Sequence, residues 1–222
     1  MANPVTYTFS GADTDYVCVA QTRSSAGSLT LNGAGADAMS ALKNNPRVWL
    51  TGSGFERTVS ITSAGTVSGL TFTVTGKNIR GESVTAAITG PAATTVESTY
   101  YFYLISDVSV NGTLSTSTSV GIGTTGRSQW YKVDYQLTPV TIGLGITTSG
   151  TDATWTVVQT TYNVEDGEPP ANAIINHPDS TLVAQTVSRQ GNYSVPFGAT
   201  RCQISASTGG SVVFDLYQAG IV

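Results

Sequence analysis

At 222 residues the chain is about one and a half typical domains long, enough for one large domain or two modest ones. Only 11% of its residues are charged, and ten Lys and Arg against fourteen Asp and Glu leave a net charge of -4, the wrong sign for displacing counterions from nucleic-acid phosphates. No apolar run approaches the roughly 20 residues that span a membrane, and the start lacks the basic and apolar regions of a secretory signal, so neither nucleic acid nor membrane is an expected partner.

Thr (35 residues) and Gly (24) are abundant, straight-chain helix formers are few, and 40% hydrophobic residues suffice for a core. That composition predicts an all-β protein. In chain order, residues 6–9, 17–20 and 28–31 read as strands that could join either neighbouring domain, and 36–43 is the one plausible short helix. Val59 and Ile61 then alternate with polar residues, followed by the clearest strand, where Leu70, Phe72 and Val74 share one face and Thr71, Thr73 and Thr75 the other. Val84, Ala86 and Ile88 continue the pattern. A dense apolar run at 101–105 leads through Val108 and Val110 to the turn pair Asn111-Gly112.

The polar stretch 121–128 reads as a boundary. Strands are predicted beyond it at 130–135, 140–146, 155–164, 182–187, 193–195, 201–206 and 212–218, with a Pro- and Asn-rich loop at 166–180. The expected organisation is an N-terminal arm at 1–45, then two antiparallel β-sandwiches, Ig-like or jelly-roll-like, at 46–125 and 126–222, with at most one short helix.

Chemistry-bearing motifs are sparse. Gly121, Gly123 and Gly126 match G-x-G-x-x-G, yet the aromatic, strand-like residues after them are not the helix start that holds a pyrophosphate. His177 is the only histidine, sits in a turn-forming Asn-His-Pro-Asp sequence, and has no nucleophile elbow to serve. Glu165, Asp166 and Glu168 lack calcium-loop spacing. Cys18 and Cys202 each lie within apolar alternation and read as buried thiols. No catalytic residue, metal site or cofactor is expected.

The aromatic runs 100–103 and 130–135 place large side chains on both faces of any strand, so one face either closes a core or meets another subunit. Tyr101, Tyr103, Trp130 and Tyr131, with Tyr217 and Ile221 of the apolar terminus, are the candidate interface residues. Trp130, Tyr131 or Trp155 could alternatively stack against a sugar in a glycan- or receptor-binding module.

Residues 57–76 (RTVSITSAGTVSGLTFTVTG), 81–91 (GESVTAAITGP), 94–102 and 105–110 (ISDVSV) resemble β-sandwich proteins of tailed-bacteriophage virions, and 193–196 (YSVP), 199–204 (ATRCQI) and 218–222 (QAGIV) are similar to the ends of the same proteins. The turn at Asn78-Ile79-Arg80-Gly81 departs from the commoner Asp-Gly-Asn type. The resemblance implies a non-enzymatic virion structural protein, assembled in the host cytoplasm. It would be a capsid decoration or cement protein binding the major capsid protein, or else a head–tail connector, tail or fibre-base component. A homo-oligomer such as a trimer is implied with it.

Overall fold

The computed structural model describes residues 5–36, 48–49, 54–134, 138–150, 152–193 and 197–221. Its strands are β1 (Val5–Ser10), β2 (Asp13–Arg23), β3 (Gly27–Ser28), β4 (Val48–Trp49), β5 (Phe55–Ser63), β6 (Thr71–Lys77), β7 (Ser83–Thr89), β8 (Thr95–Glu97) and β9 (Leu104–Val110). There follow β10 (Leu114–Ser128), β11 (Tyr131–Lys132), β12 (Thr138–Ser149), β13 (Ala153–Thr160), β14 (Ile175–Asn176), β15 (Arg189–Tyr193), β16 (Ala199–Ser207) and β17 (Ser211–Ile221). The protein is all-β, built of antiparallel sheets in sandwich-like layers. The helical elements among the described residues are two three-residue 3-10 turns, Ala171–Ala173 and Ser180–Leu182. The expected helix at 36–43 falls almost wholly outside the described residues.

The chain forms two compact units, one of residues 12–52 and 56–126, the other of residues 1–11, 53–55 and 127–222. The first 45 residues therefore divide between them.

In the unit of residues 12–52 and 56–126, β9 pairs with β3, β4 and β6, and β6 also with β7. Its other layer has β10 beside β2 and β5 beside β8. Val17, Val59, Ile61, Phe72, Val74, Val108 and Leu114 fill the space between the layers. As β6 alternates, Phe72 and Val74 are fully buried while Thr71, Thr73 and Thr75 stay partly exposed. Each buried apolar side chain contributes about 1.5–3 kcal/mol, whereas threonine keeps its hydroxyl wet.

Strict alternation fails in β9, where Ile105 and Val108 are both buried although three residues apart. A register shift between Thr75 and Gly76 absorbs the extra residue, with the Ser106 hydroxyl donating to the Thr75 carbonyl at 3.1 Å. Glycine is needed at Gly76, because a Cβ there would collide with the Leu104 carbonyl oxygen. The strand also begins later than expected. Residues 101–103 precede β9 as an irregular segment, in which Phe102 exchanges backbone hydrogen bonds with Arg57 at 2.7 and 2.8 Å.

Residues 121–128 lie inside β10, the longest strand described, and the two units divide at 126–127. Gly121 permits the pairing with β2, since a Cβ would run into the backbone of Asp13 and Thr14. The threonines of this stretch are drawn into a part-buried network around Glu97. Thr58 donates to one Glu97 oxygen at 2.8 Å, and the amide and hydroxyl of Thr124 donate to the other at 3.0 and 2.9 Å.

In the second unit β17 lies between β1 and β12, and β12 between β17 and β15. The facing layer has β16 between β13 and β11, with β14 at the far side of β13. Phe9, Ile142, Trp155, Tyr193, Phe214 and Leu216 form its core, with Phe9 edge-on to Phe55 at 5.3 Å. Two predicted strands shrink here. Among its described residues the 130–135 run supplies two strand residues, and 182–187 is a turn and loop that meets β13 through an isolated Trp155–Gln185 bridge and the Ala184 amide, which donates to the Thr156 hydroxyl at 2.9 Å.

Candidate functional site

The most organised polar cluster lies in the second unit, where the loop after β13 folds back along β11. Asn163 shapes the loop: its side-chain oxygen accepts from the Glu165 amide at 3.3 Å and its nitrogen donates to Asp166 at 2.9 Å. Glu168 then anchors it. One of its oxygens accepts from Arg127 Nη1 at 2.9 Å and Arg201 Nη1 at 2.8 Å, and the other from Trp130 Nε1 at 3.2 Å. The Arg201 guanidinium lies over the Trp130 ring, 4.2 Å from its centre. The Arg201 side chain is 3% exposed and that of Glu168 34%, so Glu168 is the route by which this inner charge is neutralised.

A second clasp joins Lys132 to Glu165 at 2.8 Å, with both side chains more than half exposed. It contributes less than about 1 kcal/mol. Between β11 and the loop lies a cavity of about 340 Å³, walled by Lys132, Thr161, Tyr162, Asn163, Glu165 and Gly198 among others. The acidic trio is thus spread over separate partners. No group of three or more metal-ligating side chains occurs among the described residues.

The candidate interface residues separate. Tyr101 and Tyr103 are half-buried beside the fully buried Phe102, while Tyr100 is 55% exposed. Trp130 belongs to the Glu168 cluster, and Tyr131 packs partly against the core of its unit. Ile221 stands opposite Thr138 at the end of β17, and its side chain lies outside the described residues. Trp155 is fully buried, which overturns its reading as a sugar platform.

Tyr217 is 52% exposed on the outer face of the β1–β17–β12–β15 sheet. It stands opposite Gly143, and Asp215 opposite Gly145. Thr6 donates to Asp215 at 2.7 Å. Neither glycine has a positive φ. A Cβ on either would meet nothing nearer than 3.6 Å. Glycine within a strand costs about 0.5–1 kcal/mol relative to alanine, so two at successive outward positions flatten this face at some cost in stability.

The remaining motifs serve the fold. Gly123 accepts from the buried Arg57 at 2.8 Å, and the amide of the next residue is held by Glu97, so the glycine pattern lies within a sheet. The Arg57 side chain has its pKa lowered to about 10, chiefly by burial. His177 is buried 4.2 Å from the Tyr193 ring. Its Nδ1 accepts from the Asp179 amide at 3.0 Å, while the Asp179 carboxylate accepts from the Thr181 amide and hydroxyl. A catalytic triad needs the opposite arrangement, with Nδ1–H donating to the carboxylate. Both cysteines are free and buried. Burial pushes the Cys18 thiol up to about 12 and that of Cys202 upward as well, away from nucleophilic thiolate chemistry.

Burial also lowers the His177 pKa, so the folded protein favours the neutral ring. The unfolded chain takes up a proton first as pH falls. Stability is therefore expected to be full above about pH 6.5 and to decline below it. His177→Gln should flatten that decline in urea midpoints measured between pH 7.5 and 5 (about the histidine range). An unchanged slope would place the pH dependence elsewhere.

A scan against protein-family models finds no match, and neither does a search of curated proteins. Among solved structures, that of the infectious bursal disease virus Gx strain aligns with all of this chain and 72% of its own, at 10% identity and a TM-score of 0.19, which carries no argument. Sequence patterning does not single out Arg201 or Tyr162. A lone arginine among the apolar residues of 199–204 was the available signal for a buried counter-charge.

Proposed function

We propose that the protein is a structural component of a bacteriophage virion, most specifically a capsid decoration or cement protein that binds the major capsid protein as a homo-oligomer such as a trimer. The observation that carries this reading is the outer face of the β1–β17–β12–β15 sheet, where exposed Tyr217 stands beside the bare strand positions Gly143 and Gly145. A flat face with one aromatic anchor and few charges suits burial against another sheet, since tyrosine anchors combine large contact area with low conformational cost. The sequence resemblance adds to it: the segments that carry it supply β5 to β9 and parts of β15 to β17.

Copy number in purified particles, measured against the major capsid subunit, tests the reading. A ratio near the shell stoichiometry supports decoration, a small ring-like number points to a connector or tail component, and absence from particles removes both. Tyr217→Ser should lower shell affinity by about 2 kcal/mol, roughly thirty-fold, in a binding assay on particles lacking the protein. Undiminished affinity would exclude this face as the contact.

A further inference from the structure

We propose that the cavity between β11 and the loop after β13 is a binding site for a neutral sugar. Its volume of about 340 Å³ lies at the low end of the range for small-molecule sites, room for one small ring. Tyr162, 39% exposed, contributes an aromatic ring to the wall. Its hydroxyl and that of Thr161 make no hydrogen bond among the described residues, leaving both to serve as donor or acceptor. Lys132 and Glu165 face each other at 2.8 Å, so the wall carries both signs and no net charge.

That combination selects the ligand class. An anion would meet Glu165 and a cation Lys132, while a purely apolar molecule would strip water from five polar side chains without replacing its hydrogen bonds. A hydroxyl-rich ring satisfies donors and acceptors of both kinds and offers C–H groups to the tyrosine face. The site is also preorganised. The Asn163 turn and the Glu168 anchor hold the loop before any ligand arrives, which reduces the ordering cost of binding. Gly198 forms part of the wall, and a Cβ there would press on the backbone of Thr160 to Tyr162 at 3.0–3.1 Å.

The inference is independent of the virion reading, because it concerns one cavity and not the sheet face. Amide chemical shifts of the full chain would be followed while methyl glucoside, methyl galactoside, N-acetylglucosamine and, separately, inorganic phosphate are added at millimolar concentration. The expected result is saturable shifts from at least one sugar, confined to residues 132–133, 161–165 and 198, with affinity reduced about five- to tenfold in Tyr162→Ala and largely kept in Tyr162→Phe. The variants' own amide spectra report whether the fold is intact. Absence of shifts with every sugar, shifts elsewhere, equal affinity in Tyr162→Ala, or tighter binding of phosphate would each overturn the proposal.

Discussion

Replacing Trp155 by alanine is expected to destabilise its unit by about 3–5 kcal/mol, the range for truncating a large buried aromatic side chain. Trp155 is fully exposure-free, centred in the core of Phe9, Ile142, Tyr193, Phe214 and Leu216, and β13 and β16 would lose the packing that fixes them against the opposite layer. Trp155→Phe should behave differently. The indole Nε1 is buried with no hydrogen-bond partner among the described residues, so phenylalanine removes an unsatisfied donor as well as volume. Relief of that donor, worth about 1–3 kcal/mol, offsets much of the cavity cost and should leave a net loss near 1 kcal/mol or less. Urea denaturation followed by far-ultraviolet circular dichroism separates the two. Equal losses in both variants would mean that the indole nitrogen is satisfied in solution.

The second large effect concerns the clasp. Glu168→Gln takes away the carboxylate shared by Arg127, Arg201 and Trp130, while the Arg201 charge stays 3% exposed. Breaking a fully buried pair costs about 3–5 kcal/mol, but Glu168 is one-third exposed and water can partly replace it, so about 1–3 kcal/mol is expected. Combining it with Arg201→Met should recover part of the loss, because the inner charge then disappears with its counter-charge. Glu165→Gln is the contrast. Its pair with Lys132 is solvent-exposed, so the change should stay within about 0.5 kcal/mol and vanish at high salt. If the double variant is as unstable as the sum of the single ones, the Arg201–Glu168 contact contributes nothing of its own.

The parts of the fold legible in the sequence are those where one local period repeats without interruption. Leu70, Phe72 and Val74 against three threonines describe β6 correctly, and Val84, Ala86 and Ile88 describe β7, because a half-buried strand writes its two faces into alternate residues. The misses occur where distant chain segments decide the outcome. Residues 121–128 read as a boundary by composition; that they are strand is decided by Arg57 and Glu97, more than 20 residues away in sequence, which hold them in β10. The aromatic run 100–103 suggests a strand, while the register shift opposite Gly76 delays β9 to Leu104. At the candidate site the acidic trio and Trp130 were visible separately. Their union depends on Arg201, 33 residues beyond Glu168, and on a loop whose return path no periodicity encodes.

The pairing of β1 with β17 joins residues made far apart in time. Thr6 and its partner Asp215 are 209 positions apart. At roughly 5–20 residues per second, β1 must wait about 10–40 s for the strand that completes its sheet. Residues 12–126 contain the whole of the other unit and can collapse during that interval. Folding therefore has an order, in which the unit of residues 12–52 and 56–126 can close before the strand that completes the β1–β17 pairing has been made. A permuted chain in which β17 directly precedes β1 should shorten that wait, because their pairing becomes a local hairpin.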